Sequence, residues 1–187
     1  MNDTVTIITS ATGNQIVKSF GGSGFQPLKF SPGSEFLVTQ SPVHNLESLA
    51  TVISGLETEP TKAIIRGSLI KDPSGSVSRN KDTFASLPRQ WCMIDIDSLA
   101  WDGAFDNRQA LVAHAVQHLP NEFQSSKCWY HFSSSMGIKA GIRVHLWYWL
   151  ERPCSDDELK AWLSGHPVDM SLFNPIQIHL TANPRFI

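Results

Sequence analysis

The pattern of apolar and polar positions along the chain separates three helices from a series of short strands. Apolar residues recur at helical spacing after Asn45, Asn107 and Ser155, and each of these polar residues can cap the helix that follows it. Ser155 and Glu158 also have the spacing of a capping box, which makes the third helix the clearest of the three. The predicted helices end near Gly55, Pro120 and Gly165.

Short runs with strand-like alternation lie between these helices. The predicted strands cover residues 4–8, 36–39, 63–69, 91–97, 128–132, 143–150 and 176–181. Residues 10–34 are rich in Gly, Ser, Thr and Asn, so we expect them to be irregular and mobile. Because strands and helices alternate without a regular βαβ rhythm, the sequence predicts an α+β fold with a mixed, mostly antiparallel sheet flanked by helices.

Length and composition narrow the classes of protein. The chain has 187 residues, 41% of them hydrophobic, which predicts one folded domain rather than a disordered chain. We find no apolar run of the roughly 18 residues needed to span a bilayer and no signal peptide at the start. The three cysteines are far apart, which argues against a zinc ribbon or disulfide framework. These features predict a cytoplasmic protein with no membrane partner, and the end at Asn183–Ile187 indicates a fragment of a longer protein.

The charges are unevenly placed although the formal net charge is only -2. Residues 61–90 carry six basic side chains against two acidic ones, a net of +4. Residues 91–107 carry four aspartates and no basic side chain. A basic stretch beside an acidic one is typical of a protein that binds metal ions and phosphates together.

An Asp-x-Asp pair occupies the end of the predicted strand 91–97. Side chains alternate across a strand, so Asp95 and Asp97 leave from the same face, with Cβ atoms ~7 Å apart. Two adjacent carboxylates repel unless a cation lies between them, and oxygen ligands favour Mg²⁺ or Mn²⁺. A strand that simply runs into a turn explains a bare Asp-x-Asp about equally well, but the apolar flanks favour the metal site.

The predicted strand 143–150 carries Arg143, His145, Trp147 and Trp149 on one face. A lone histidine on such a strand is more often a hydrogen-bonded core residue than a ligand-binding one. The loop 133–141 that precedes it holds hydroxyl groups, glycines and a lysine, which suit a phosphate cradle built from backbone N–H groups. The loop lacks the spacing of a Walker A motif.

The order of these features resembles the archaeo-eukaryotic primase superfamily. The matching stretches are Trp91–Asp97, Ser133–Leu150 and Val168–Phe186, the third of which carries a lone Asp169 after the capped helix. They are most similar to the primase-polymerase domains that phages and mobile elements place in front of a helicase. The resemblance covers about residues 60–187 and leaves residues 1–60 as an N-terminal subregion of the single domain without a clear match.

The resemblance implies template-dependent nucleotidyl transfer on an RRM-like catalytic core. Asp95, Asp97 and Asp169 would be the catalytic carboxylates and would hold two Mg²⁺ or Mn²⁺ ions. The nucleotide-binding set would be His145, Arg143, Ser134, Ser135 and Lys139. The template-binding set would be Arg66, Arg79 and Lys81. The implied partners are a single-stranded DNA template, NTP or dNTP substrates and a helicase domain in the full-length chain. Arg143 departs from the family pattern, which usually has a small hydroxyl residue two positions before the histidine.

Three alternatives stay open. A metal-dependent nuclease would use the same carboxylates without a nucleoside triphosphate. A non-catalytic nucleic-acid-binding module of a replication initiator would stack bases on Trp147, Trp149 and Tyr130, but it leaves the paired aspartates unexplained. A sugar transferase with a manganese-binding Asp-x-Asp is a more remote choice.

The primase interpretation makes two structural predictions. Asp169 should lie beside the Asp-x-Asp pair, with the three carboxylates ~4–7 Å apart. Removing either Asp95 or Asp97 should be neutral or stabilising in the metal-free protein, because like charges repel.

Overall fold

The computed structural model of the chain describes residues 3–187. The fold is α+β with mostly antiparallel sheets, which confirms the predicted class. The chain, predicted to be one domain, divides into two compact units. The first unit comprises the residues up to Pro88 together with Asn174–Ile187, and the second comprises Arg89–Phe173.

The first unit is built on an antiparallel sheet with strand order β5-β1-β4-β7. Its elements are β1 (Asp3–Ser10), β2 (Ser19–Gly21), β3 (Gln26–Pro27), β4 (Glu35–Val43), α1 (Leu46–Leu56), β5 (Lys62–Ile65), β6 (Ser68–Leu69), β7 (Val77–Ser78), β8 (Phe84–Ala85) and β12 (Arg185–Phe186). Asn45 caps α1 as predicted, because its side chain accepts the Ser48 N–H and Ser48 bonds back to it. Ile8, Phe36 and Ile65 belong to a core cluster on this sheet.

Three predictions for the first unit differ from the structure. Residues 10–34 are not wholly irregular, because they hold β2 and β3 and bury Ile16, Val17 and Phe20. Residues 176–181 do not form a strand; they make an isolated bridge in which His179 exchanges backbone hydrogen bonds with Ile64. The predicted strand 63–69 is also interrupted after Ile65.

The second unit is a three-stranded antiparallel sheet with order β10-β11-β9. Its elements are β9 (Arg89–Leu99), α2 (Arg108–Val116), α3 (Asn121–Gln124), β10 (Cys128–Phe132), β11 (Ile142–Cys154), α4 (Asp156–Leu163) and a 3-10 turn (Met170–Leu172). Asn107 caps α2, and Ser155 with Glu158 forms the predicted capping box of α4.

Alternation along β11 sets the two faces of this sheet. Val144, Leu146 and Tyr148 are buried in one core cluster with residues of α2, α3 and α4, so the helices pack against this face. Burial raises the pKa of Tyr148, so its hydroxyl stays protonated in this core. The polar residues of β11 that alternate with these lie on the opposite face, which is where the sequence predicted the site. Among residues 3–187, no helix is long and apolar enough to cross a membrane.

Candidate functional site

The strand register of the second unit places three of the polar side chains in one row. Asp95 on β9 pairs with His145 on β11, and His145 pairs in turn with His131 on β10. Residues directly opposite one another in an antiparallel sheet lie on the same face. The side chains of His145 and Asp95 are 9% and 18% exposed, and His145 Nε2 lies 3.5 Å from Asp95 Oδ1. His145 therefore lies on the same face as the first aspartate, as the alternation predicted.

A β-bulge at the end of β9 gives Asp97 a different partner. Val144 pairs with Ile96 and Ile142 pairs with Leu99, so Asp97 and Ser98 together lie opposite Arg143. The Arg143 guanidinium donates to Asp97 Oδ1 and to Ser98 Oγ. The Arg143 side chain is 9% exposed and that of Asp97 is 50% exposed. The two carboxylates of the Asp-x-Asp pair thus have separate partners, and Arg143 supplies a positive charge at the second.

The third motif joins the first through the backbone. The Asp169 N–H donates to the carbonyl oxygen of Asp95 at 3.0 Å, although the two residues are far apart along the chain. Asp169 is exposed, and its carboxylate accepts the Ser171 N–H at 2.9 Å and caps the 3-10 turn. The lone aspartate therefore comes beside the Asp-x-Asp strand, with its side chain fixed by a local turn.

The donor atoms suit a hard divalent cation, but their present arrangement does not form a site for one. Carboxylate oxygens are the ligands that Mg²⁺ and Mn²⁺ prefer. Within residues 3–187, however, no group of three or more His, Cys, Asp and Glu side chains is placed to hold a metal ion. Asp97 bonds to Arg143 and Asp169 bonds to Ser171. Asp97 would have to exchange its ion pair with Arg143 before it could act as a metal ligand. The exposed Asp169 carboxylate accepts one N–H and keeps further acceptor capacity, so it could bind a cation without losing that bond.

A histidine that the sequence analysis missed completes the row. The His131 Nε2 lies 2.7 Å from His145 Nδ1, and the Trp147 indole N–H donates to His131 Nδ1 at 3.3 Å. The rings of His131 and His145 are nearly perpendicular at a centroid distance of 4.6 Å. Alternation along residues 128–132 would have placed His131 on the same face as Trp129. Only the pairing of β10 with β11 places it against His145.

The loop 133–141 is not an open phosphate cradle. The N–H groups of Met136, Ile138 and Lys139 donate to carbonyl oxygens within the loop, and the Ser135 N–H faces the Ser133 hydroxyl. Ser135 is buried, Ser134 is half-buried, and Lys139 is exposed. The predicted cradle of backbone N–H groups is therefore wrong for these four positions, whereas the Lys139 side chain is presented to solvent.

The three residues predicted to bind the template lie in the first unit and differ in exposure. Arg66 is 1% exposed, so it is not a surface cation. Arg79 is half-buried and donates to the carbonyl oxygen of Ile176. Lys81 is exposed. The prediction that all three line a template path on the protein surface is wrong for Arg66, because burial removes its side chain from solvent.

The aromatic residues of the base-stacking alternative do not form one open platform. Trp147 is fully buried, with its ring 5.9 Å from that of Trp91. Tyr130 packs against the helix-covered core on the other face of the sheet. Only Trp149 is partly accessible on the expected face. A base could not stack on all three side chains at once.

Comparison with curated proteins gives a distant relative in a phage. The chain is 23% identical over 185 residues to the "Putative replication origin binding protein" of Escherichia phage T5. The match covers 89% of this chain but 19% of that protein, so the chain spans about a fifth of the relative's length. No protein-family model and no solved structure matches the chain.

Proposed function

We propose that the chain is the catalytic part of a DNA replication enzyme that transfers nucleotides to a growing strand on a template, as a primase or primase-polymerase. The hydrogen bond from the Asp169 N–H to the Asp95 carbonyl oxygen carries this proposal. It brings the third motif beside the first, while the strand register places His145 of the second motif opposite Asp95. Asp95, His145 and Asp169, one residue from each of three motifs that are separate in sequence, therefore lie in the second unit, and this supports the proposal.

The aspartates have distinct roles in this proposal. Asp95 and Asp169 would provide the first oxygen ligands of a divalent cation, and Asp97 would join them when its bond to Arg143 opens. The bound cations would activate the attacking hydroxyl and neutralise the triphosphate. Once released from Asp97, the Arg143 guanidinium could form a bidentate pair with two oxygens of a phosphate group in the same site. His145 would donate a hydrogen bond to a phosphate oxygen.

The proposed biological context is replication of a phage, plasmid or mobile element. The name of the phage T5 relative supports it. A helicase domain in a longer chain would belong to the same context. The proposed partners are a single-stranded DNA template and NTP or dNTP substrates. Lys81 and Lys139 are the exposed basic residues of the predicted sets that could contact phosphates without prior rearrangement.

A non-catalytic DNA-binding role is the second candidate. The relative's name states origin binding, and the Arg143–Asp97 ion pair offsets part of the negative charge that would repel DNA phosphates. A DNA-binding role does not explain why Asp169 lies beside Asp95, so we place this candidate second.

The decisive experiment supplies the full 187-residue chain with single-stranded DNA, Mg²⁺ or Mn²⁺ and labelled NTPs or dNTPs, with and without a primer. Asp95→Asn and Asp169→Asn should each lower incorporation by more than about 100-fold, because an amide is a poor ligand for a hard cation. Asn at 169 can still cap the 3-10 turn, so the fold should persist. The matched control is Asp157→Asn on α4, whose carboxylate is 95% exposed and should not affect incorporation.

Three results would contradict the proposal. Incorporation by Asp95→Asn at the wild-type rate would remove the carboxylate from the chemistry. Degradation of DNA without any triphosphate would indicate the nuclease. Tight DNA binding with no incorporation under any metal or nucleotide condition would favour the binding module.

A further inference from the structure

We infer that His131 and Trp147 are positioning residues that determine which ring nitrogen of His145 carries the proton. They form a directed hydrogen-bond chain from the buried indole of Trp147 through His131 and His145 toward Asp95. This hydrogen-bond chain places the proton of His145 on Nε2, which is then a hydrogen-bond donor. The inference rests on the proposed function only for the ligand of that donor, a phosphate oxygen of a nucleoside triphosphate.

The direction of the chain is set at Trp147. An indole N–H can only donate, so His131 Nδ1, 3.3 Å away, must accept. In a neutral imidazole one nitrogen accepts and the other carries the proton. His131 therefore carries its proton on Nε2.

The same argument applies to the imidazole ring of His145. His131 Nε2 lies 2.7 Å from His145 Nδ1, which is a hydrogen-bond distance. Because His131 Nε2 is the donor, His145 Nδ1 must accept and the His145 proton is on Nε2. One fixed donor thus determines the tautomer of two histidines.

Packing fixes the direction of the hydrogen bonds from Trp147 through His131 to His145. Trp147 is fully buried and its ring packs on Trp91, while His145 is 7% exposed. Rotation of the indole away from His131 would leave a buried N–H without an acceptor, which is costly. The polarity of the chain is therefore built into the fold.

In the site, the Nε2–H group of His145 is therefore a hydrogen-bond donor that points toward Asp95. His145 Nε2 faces Asp95 Oδ1 at 3.5 Å, which is long for a hydrogen bond. A protonated Nε2 has no lone pair for a metal ion or for accepting a proton, but it can donate to an anionic oxygen placed next to Asp95. Phosphate oxygens are such acceptors, and the chain orients the donor before the ligand arrives.

The test is the nitrogen NMR spectrum of the full chain with ¹⁵N-labelled histidine, recorded at about pH 8 where free imidazole is neutral. We expect His145 to show a protonated Nε2 and an unprotonated Nδ1, and His131 to show the same pattern. A spectrum of the folded wild-type protein in which His145 carries its proton on Nδ1 would overturn the inference. This readout needs no activity, so the failure of this inference and the failure of the proposed function are distinguishable.

Variants test the cause of the pattern. His131→Leu removes the donor, so the proton of His145 should move at least partly to Nδ1. His131→Gln retains one acceptor for Trp147 and a donor for His145 and should restore the wild-type pattern. Trp147→Phe keeps an aromatic ring but removes the fixed donor, so both tautomers of His145 should be populated. His118→Leu, among the helices of the other face, is the control and should leave the His145 signals unchanged.

The variants also separate positioning from general stability. If the chain aims a donor at the triphosphate, His131→Leu should raise KM for the triphosphate by about 10-fold or more, with a much smaller change in kcat. His131→Gln should recover most of this loss. A wild-type His145 tautomer in both His131→Leu and Trp147→Phe would overturn the assignment of His131 and Trp147.

Discussion

The ion pair between Arg143 and Asp97 predicts that Asp97→Ala destabilises the metal-free protein. From the sequence alone we expected the opposite, because two neighbouring carboxylates repel. In the structure the Arg143 side chain is 9% exposed and donates to both Asp97 and Ser98. Removing Asp97 leaves a largely buried guanidinium without its counter-ion. For Asp97 the structure therefore leads us to expect destabilisation in place of a neutral or stabilising effect.

The size of the effect follows from the environment of the pair. A hydrogen bond to a charged group contributes about 1.5–3 kcal/mol. The Asp97 side chain is 50% exposed, so water screens the pair and the lower end applies. We therefore expect Asp97→Ala to lower the free energy of unfolding by about 1.5–2 kcal/mol. Arg143→Met retains the aliphatic stem and should cost about 1 kcal/mol, because the carboxylate it leaves behind can be hydrated.

The assay is urea unfolding followed by tryptophan fluorescence. All six tryptophans lie in the second unit, so the signal reports on the unit that contains the pair. The double variant should lose less than the sum of the single losses, with a coupling energy of about 1 kcal/mol. The matched control is the exposed pair Arg152–Glu158, whose side chains are 66% and 46% exposed. Water screens this pair, so its coupling should be clearly smaller than that of Arg143 and Asp97. The reasoning is refuted if the losses at 97 and 143 add within about 0.3 kcal/mol, or if Asp97→Ala is the more stable protein.

Two further predictions concern a glycine with positive φ and a helix cap in the second unit. Gly141 has φ +78° and a Cβ there would lie 2.7 Å from the Leu99 carbonyl oxygen, whereas Gly137 has φ +77° and open space around it. In urea unfolding, Gly141→Ala should therefore destabilise by clearly more than Gly137→Ala, which should show only the left-handed backbone cost of about 1–2 kcal/mol; equal losses would argue against the close approach. The Ser155 N–H lowers the pKa of Glu158, so its stabilisation is present above the unfolded pKa of about 4.3 and is lost as pH falls through the folded value. Glu158→Gln should flatten the acid limb of a stability–pH profile, and an unchanged limb would contradict this.

The sequence was sufficient for features that depend on neighbours along the chain. Alternation located β9, β10 and β11, because a strand with one core face repeats every two residues. Cap residues located α1, α2 and α4, because an N-cap side chain accepts the backbone N–H of the residue three positions later. The same alternation placed His145 on the face of Asp95. These predictions needed no knowledge of which strands pair.

The rest of the site depends on register, which local patterns do not encode. The bulge that sets Arg143 against Asp97 exists because one strand has an extra residue between two pairs, and nothing in either segment announces it. His131 was missed because its role begins only when β10 pairs with β11. Residues 176–181 have the pattern of a strand but join their sheet through a single bridge, so their alternation reports burial rather than pairing.

The two aspartates of the Asp-x-Asp pair are therefore not equivalent, although the sequence presents them as a symmetric pair of ligands. The Asp95 side chain is mostly buried beside His145, and the Asp95 carbonyl oxygen accepts the Asp169 N–H. The Asp97 side chain, by contrast, is half-exposed and forms an ion pair with Arg143. The arginine offsets the repulsion that two adjacent carboxylates would cause, so the unit can fold with both in place and without a cation. In the proposed mechanism, a cation would have to compete with Arg143 for Asp97. The position that departs from the primase pattern is thus the one that compensates the charge of the site, and its release from Asp97 would couple cation binding to the appearance of a guanidinium for phosphate.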